Sequence, residues 1–291
     1  MILLASGVIS GSTPRKLLVA HRGASAYAPE HTLTAYRLAL EQGADYVEQD
    51  LGVTRDGVLI CLHDPTLEHT TDVEQVFPDR FKQMEGARRW FAADFTLDEI
   101  KRLDAGAWFA PRFAGERVPT FQEAIDLVRG HAGLFPELKA PDVYRDRGMD
   151  MEPLVVAALR KNGLARKDAD LHTPLVLQSF DQAALQALAN DVPSIDRTFL
   201  LEPRGTSHWT TDAGLKEIAT FATGVGPSKL LIDADPTLVA RAHAAGLTVI
   251  PYTFRASSTG RFASVRDEMA HFLTVVGVDG LFTDNPDQFP R

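Results

Sequence analysis

Apolar positions along this chain fall into short runs separated by stretches at helical spacing. Lys16–Ala20 (KLLVA) is an apolar run that stops at His21-Arg22-Gly23. Within Thr32–Gln42, Leu33, Tyr36 and Leu40 repeat at helical intervals, and Gly43 supplies the stop. Tyr46–Leu51 reads as the next strand. From Thr120 a regular alternation sets in. It predicts a helix from Thr120 to Arg129, a strand Leu134–Glu137, a helix Met151–Asn162 closed by Gly163, and a strand Leu175–Gln178. A helix Gln182–Ala189, a strand Thr198–Leu201, a helix Ala213–Ala219 and a strand Lys229–Asp233 follow. Pro236–Ala245 opens on proline and is followed by Gly246, the usual asymmetry of helix ends. Leu247–Tyr252 and Gly280–Phe282 complete the strands, with a helix over Val265–Val275 between them.

The stretch between residues 65 and 118 breaks this rhythm. Its clearest element is a short helix, Thr96–Leu103, with Thr96 as N-cap and Glu99 three residues later. We read it as a small subdomain inserted into an otherwise repetitive chain. Strands starting at Lys16, Tyr46, Leu134, Leu175, Thr198, Lys229, Leu247 and Gly280, mostly separated by helices, predict an α/β fold, a (β/α)8 TIM barrel. The whole chain, 1–291, is then one barrel domain, with 65–118 inserted after strand two. A doubly wound sheet is the rival, but no Gly-rich dinucleotide fingerprint follows the first strand.

One stretch departs from simple core filling. In Ala44–Pro65, Glu48 and Asp50 stand two residues apart, so a strand points both carboxylates to one face. Asp56-Gly57 reads as a two-residue hairpin turn. With those residues central, Arg55 pairs with Val58, Val53 with Ile60, and Asp50 with His63. Two carboxylates and an imidazole side by side are poor core material, because each buried charge needs a partner.

Composition narrows the function classes. With 291 residues, 45% hydrophobic and 24% charged, the chain can bury a large α/β core. No apolar stretch reaches the roughly 18 residues of a membrane span, so no transmembrane segment is expected. A net charge of −9 argues against a nucleic-acid partner, which calls for a basic stripe. Cys61 is the single cysteine, which rules out an intrachain disulfide and a thiolate metal cluster. Residues 1–14 contain an apolar run but lack the cationic start of a secretory signal; they read as the remnant of a signal or as a loose end.

In a TIM barrel the working groups collect at the C-terminal ends of the strands. There the sequence places His21 and Arg22, Glu48 and Asp50, His63 on the hairpin's return, Glu137 and Lys139, Gln178, Tyr252, and Thr283-Asp284. Glu48, Asp50 and Glu137 offer only carboxylate oxygens, a set suited to one hard divalent cation, Ca2+ or Mg2+. His21 and His63 can exchange protons near neutral pH. Arg22 and Lys139 add fixed positive charge, and such a pocket in an acidic protein suits a phosphate oxyanion.

The motifs carry a resemblance. HRG at 21–23, PEHT at 29–32, GADYVEQDL at 43–51 and TRDGVLICLHD at 54–64 resemble glycerophosphodiester phosphodiesterases. ELK at 137–139, QSF at 178–180 and GLFTDNPD at 280–287 extend the likeness over nearly the whole barrel. TDVEQVFPDR at 71–80, DFTLDEIKRL at 94–103 and PYTFR at 251–255 resemble the longer branch that includes exported bacterial enzymes. The resemblance implies a divalent metal on Glu48, Asp50 and Glu137, acid and base roles for His21 and His63, and phosphate contacts from Arg22 and Lys139. It further implies attack by the substrate's own glycerol 2-hydroxyl, a cyclic phosphate, and sn-glycerol 3-phosphate as product. The substrate is then a small glycerophosphodiester such as glycerophosphocholine or glycerophosphoethanolamine. Likeness to the exported branch points to periplasm or secretion, while the missing cationic start points to the cytoplasm.

The chain departs from the family pattern in places. His31 stands where the motif usually has Asn; we place it outside the metal set, as support around Glu30. Glu30 itself reads as a partner of Arg22. Tyr252 and Arg255 stand where shorter members carry Trp and Asn, which bears on the alcohol side of the pocket. Three other functions compete. The same chemistry could act on an intact lysophospholipid or sphingolipid, as in related phospholipase D-type toxins. That reading needs an apolar rim, for which Phe91, Phe95, Trp108 and Phe109 are candidates, although they fit better as the core of the insertion. A phosphate-ester binding protein would not need two histidines. A barrel aldolase or isomerase would need a Schiff-base lysine, and Lys139 beside a metal is better kept charged.

Overall fold

The computed structural model describes residues 15–291, so the expectations about residues 1–14 lie outside the described residues. Eight parallel strands form the centre: β1 (Leu17–Ala20), β2 (Tyr46–Val53), β3 (Gly133–Leu138), β4 (Val176–Ser179), β5 (Asp196–Leu201), β6 (Gly224–Pro227), β7 (Thr248–Val249) and β8 (Gly280–Thr283). From β1 to β7 each pairs with the next in chain order, and β8 pairs with β1, Ala20 opposite Thr283. The chain beyond β7 closes the ring. Phe282 N donates to Pro251 O at 3.0 Å and Phe254 N to Phe282 O at 2.9 Å. This is the (β/α)8 barrel that the alternation predicts.

Two layers of apolar packing hold it. Inside the ring sit Val19, Phe135, Ile250 and Phe282, with the Phe135 and Phe282 rings edge to face at 5.1 Å. Outside it, helices bury one stripe each. Leu33–Glu41 covers Tyr36, Phe121–Val128 covers Ile125, and Met151–Lys161 covers Leu159. Thr32 and Thr120 cap two of these helices through their hydroxyls, and Glu123 completes a capping box at the second. Among the described residues no helix is long and apolar enough to cross a membrane.

The sixth strand is not where the apolar run placed it. Lys229–Ala234 is a helix capped by Ser228, and the strand is Gly224–Pro227 just before it. The reason is crowding. A Cβ at Gly224 would lie 2.4 Å from Thr248 Oγ1, and one at Gly226 would lie 2.6 Å from Leu200 Cδ2. A strand squeezed between β5 and β7 is built from small residues and shows no hydrophobic signal.

The hairpin register also differs by one. Val53 faces Leu59, Gly52 faces Ile60 and Leu51 faces Cys61, so Asp50 does not face His63. Thr54 to Gly57 form the turn, Gly57 N donating to Thr54 O at 3.0 Å with Gly57 at φ 76°. Glycine in that left-handed position makes a three-residue loop in place of the two-residue one. In that register His63 would point away from Asp50, but the return strand ends at Cys61, and His63 turns back into the pocket from the loop beyond it.

Residues 65–118 hold a short helix, Leu97–Ile100, with the Thr96–Glu99 capping box, and a ribbon in which Lys82–Met84 pairs with Ala87–Arg89. Leu67, Val73, Trp90, Phe95, Ile100 and Leu103 form an apolar cluster separate from the barrel's two layers. Phe95 is buried in it and Phe91 is buried nearby. Trp108 is 42% exposed and lies outside the cluster, contrary to the expectation that it fills the core.

Candidate active site

A cavity of about 460 Å3 opens at the C-terminal rim of the strands. It is lined by His21, Arg22, Glu48, Asp50, His63, Glu137, Lys139, Gln178 and Tyr252 among others. Of the residues expected at the strand ends and around them, all but Glu30, Thr283 and Asp284 therefore line one space.

Period-two geometry of β2 sends Glu48 and Asp50 to the same side, and β3, paired in register, sets Glu137 beside Asp50. All three are buried, at 2%, 1% and 4% exposure. Arg22 follows β1 with a left-handed φ of 57°, and its backbone N–H donates to Glu48 Oε2 at 2.6 Å. Its Nη1 donates to both oxygens of Glu30 at 2.9 and 3.0 Å, and its Nε lies 3.4 Å from Asp50 Oδ2. Lys139 Nζ stands 3.2 Å from Glu137 Oε1 and 3.8 Å from Asp50 Oδ1. Gln178 is buried, and its amide reaches Phe135 O at 3.4 Å. Tyr252 donates its hydroxyl to Leu201 O at 3.0 Å and meets the Phe180 ring edge to face.

The carboxylates are out of electrostatic balance. Burial pushes Glu48 well above the carboxylate range, and the neighbouring Asp50 adds to it. Burial pushes Glu137 up to about 8, against the pull of Lys139. Burial also acts on Asp50, but Lys139, His31 and Arg22 together outweigh it and hold Asp50 well below the usual range. Glu137 Oε1 has no hydrogen-bond partner, because the Lys139 ammonium lies at ion-pair distance but off the bonding direction. Buried carboxylates that cannot all ionise, one with an orphaned oxygen, fit a bound cation.

His31 does not behave as expected. Its Nε2 lies 2.8 Å from Asp50 Oδ2 and its Nδ1 2.8 Å from the Tyr36 hydroxyl, with only 3% of the residue exposed. It therefore supports Asp50, not Glu30. Among the described residues, the ligand atoms that already lie within 4.8 Å of one another are those of His31, Glu48 and Asp50. Both ring nitrogens of His31 are engaged, so ligation by it would break one of these bonds.

The two cavity histidines are each held by a carboxylate on Nδ1. His21 Nδ1 is 2.7 Å from Asp284 Oδ1, and His63 Nδ1 is 2.7 Å from Asp64 Oδ1. An ionised carboxylate only accepts, so each Nδ1 carries the proton and each Nε2 is left for substrate. Burial, helped by Arg22, lowers the His21 pKa although Asp284 works the other way. The hydrogen bond from His63 takes Asp64 down to about 2. The sequence placed Asp284 at the strand ends without giving it a role, and Asp64 was not singled out. The signal for Asp284 is indirect: β1 pairs with β8, so the residue after Ala20 lies next to the residue after Thr283.

Two carboxylate-braced histidines, buried acids and two cations thus share the strand ends of one barrel. The sequence pattern of the glycerophosphoryl diester phosphodiesterase family matches residues 21–288. The chain is 35% identical over 288 residues to a glycerophosphodiester phosphodiesterase of Bacillus subtilis (strain 168), covering 96% of this chain and 87% of that one. It is 34% identical to one from Arabidopsis thaliana, covering 94% and 84%. Among solved structures it is similar to an Oleispira antarctica phosphodiesterase in complex with the product sn-glycerol-3-phosphate, with TM-score 0.74, 26% identity and 94% of each chain covered. The chain belongs to the glycerophosphoryl diester phosphodiesterase family and is an enzyme of that family.

Proposed function

We propose that this enzyme hydrolyses small glycerophosphodiesters, such as glycerophosphocholine and glycerophosphoethanolamine, to sn-glycerol 3-phosphate and an alcohol. The observation that carries the reading is the pair of histidines braced through Nδ1 on one cavity that also presents Arg22 and Lys139. Glu48, Asp50 and Glu137 would hold one divalent cation, Ca2+ or Mg2+, and the orphaned Glu137 oxygen supports that set over one that includes His31. When bound, the cation neutralises charge on the phosphoryl oxygens. Arg22 and Lys139 bind and orient the same oxygens.

The steps balance on the chain's own groups. The glycerol 2-hydroxyl attacks phosphorus and gives its proton to Nε2 of one histidine. The bond to the departing alcohol breaks, and that oxygen takes a proton from the other histidine. A cyclic phosphodiester remains. Water then adds to phosphorus with the histidines in exchanged roles, and the ring opens to sn-glycerol 3-phosphate. His21 suits the first base, because burial and Arg22 favour its neutral form.

Residues 65–118 we take as a subdomain inserted after β2, supported by their separate apolar cluster. A second substrate class, intact lysophospholipid, draws support from the exposed Trp108. Its ring centroid lies 6.3 Å from that of His69, which in turn contacts Asp64 beside His63. The test is release of sn-glycerol 3-phosphate from glycerophosphocholine with Ca2+, with Mg2+ and with EDTA, beside His21→Ala. Metal-dependent release lost in the variant is expected. No release with either ion from folded protein, with turnover of lysophosphatidylcholine, would move the assignment to the second class.

A further inference from the structure

The cavity has two unlike halves. The half on β1 to β3 carries the histidines, the acids, Arg22 and Lys139. The half on β4 to β8 is lined mainly by Phe180, Leu200, Pro203, Tyr252 and Phe282, with Gln178 and Thr253 as neutral polar residues and two charged ones, Glu202 and Arg255. Those two charges are not equivalent. Arg255 Nε lies 3.3 Å from Asp284 Oδ2, so its charge is already answered. Glu202, one residue past the end of β5, is exposed at the cavity wall. Among the described residues its carboxylate meets no cation and no donor; only its backbone carbonyl is engaged, by Thr206 Oγ1 at 2.6 Å.

A phosphodiester held between Arg22 and Lys139 extends one of its two arms over the β4 to β8 half, and we take that arm to be the alcohol. There an arm meets aromatic and aliphatic surface and a single unanswered negative charge. We propose that Glu202, with the Tyr252 and Phe180 rings that line the same cavity, selects glycerophosphodiesters whose alcohol is a small organic cation, quaternary or primary ammonium, over those with a neutral alcohol. The inference rests on the phosphodiesterase reading above and adds the head-group class to it. Methyl groups of a quaternary ammonium suit the apolar wall, where ring faces attract positive charge, and a primary ammonium can also donate to the carboxylate. A single partly solvated charge tunes selectivity and not the chemical step, so the effect is modest and falls with added salt.

The test compares kcat/KM for glycerophosphocholine and glycerophosphoethanolamine with kcat/KM for glycerophosphoglycerol, in the full chain and in Glu202→Gln, at low and high salt. The native enzyme is expected to favour the two cationic esters. In the variant that ratio should fall about three- to tenfold, and the difference should shrink in salt. Glu202→Lys should lower the ratio further, and because Glu202 is exposed, thermal melting should match the native chain for both variants. An unchanged ratio in both variants overturns the inference while leaving the phosphodiesterase reading intact. Absence of release from all three esters by folded, metal-supplied native protein overturns that reading, and this inference with it.

Discussion

The two histidines face one cavity from differently built parts of the molecule. His21 stands at the end of β1, 13% exposed, and its carboxylate partner Asp284 comes from 263 positions away at the end of β8. His63 lies on the excursion after β2, 29% exposed, and its partner is the next residue, Asp64, itself shared with His69 at 3.2 Å. The first pair exists only because β1 and β8 meet and close the barrel. The second is local and half open to water. One imidazole is thus set by the whole fold and the other by a loop.

Removing either ring should have the largest effect. We expect His21→Ala and His63→Ala each to lower kcat by about 10² to 10⁴-fold, the range for a positioned acid or base. A diester with a good leaving group, such as the p-nitrophenyl ester of glycerol phosphate, separates their roles. With it, His63→Ala should recover most of its lost rate and His21→Ala should not, because a good leaving group needs no proton. The opposite pattern would exchange the two assignments.

Next in size are the braces. Asp284→Asn leaves shape intact but replaces a carboxylate that only accepts with a neutral amide that can also donate, so the His21 proton is no longer fixed on Nδ1; we expect about a 10²-fold loss in kcat with a smaller change in KM. Asp64→Asn should cost about tenfold, since water can serve a half-exposed ring. The pH profile tells the two apart. Asp284 raises the His21 pKa against burial and Arg22, so its loss lowers that pKa. The acid limb of kcat/KM, where a neutral base is needed, should then move to lower pH in Asp284→Asn. An unmoved limb would mean that His21 is not the base.

The contrast also explains what the sequence could show. The strands that bury large residues, such as Leu134 and Phe135 or Leu281 and Phe282, announce themselves, and with them the order of the barrel. Gly224–Pro227 does not, because its place between two neighbours admits little more than hydrogen, while the apolar stretch after it belongs to a helix packed outside. The acids on β2 were legible from a two-residue spacing, and Glu137 from its place at the end of a strand. Asp284 was not assigned because its role depends on which strands adjoin across the closure. His31 was misplaced for a related reason. Its backbone takes a left-handed φ of 56°, and the side chain goes to Asp50, a contact that no spacing along the chain reports.

His31 gives the smallest effect and the sharpest check on the proposed metal set. It holds Asp50 Oδ2 with one nitrogen and the Tyr36 hydroxyl with the other, both at 2.8 Å. Asparagine in its place is shorter and cannot span both. If His31 orients a ligand, His31→Asn should weaken Ca2+ or Mg2+ binding by about tenfold, the lower end for loss of an outer partner. Titration calorimetry reads this without any turnover. Turnover at saturating metal should change by less than about threefold, because the ligands themselves remain. Glu137→Gln, which removes a proposed ligand, should bind the ion more weakly than His31→Asn does. If instead His31→Asn is the worse binder, the ion sits on His31, Glu48 and Asp50, and Glu137 stands beside the site as a partner of Lys139.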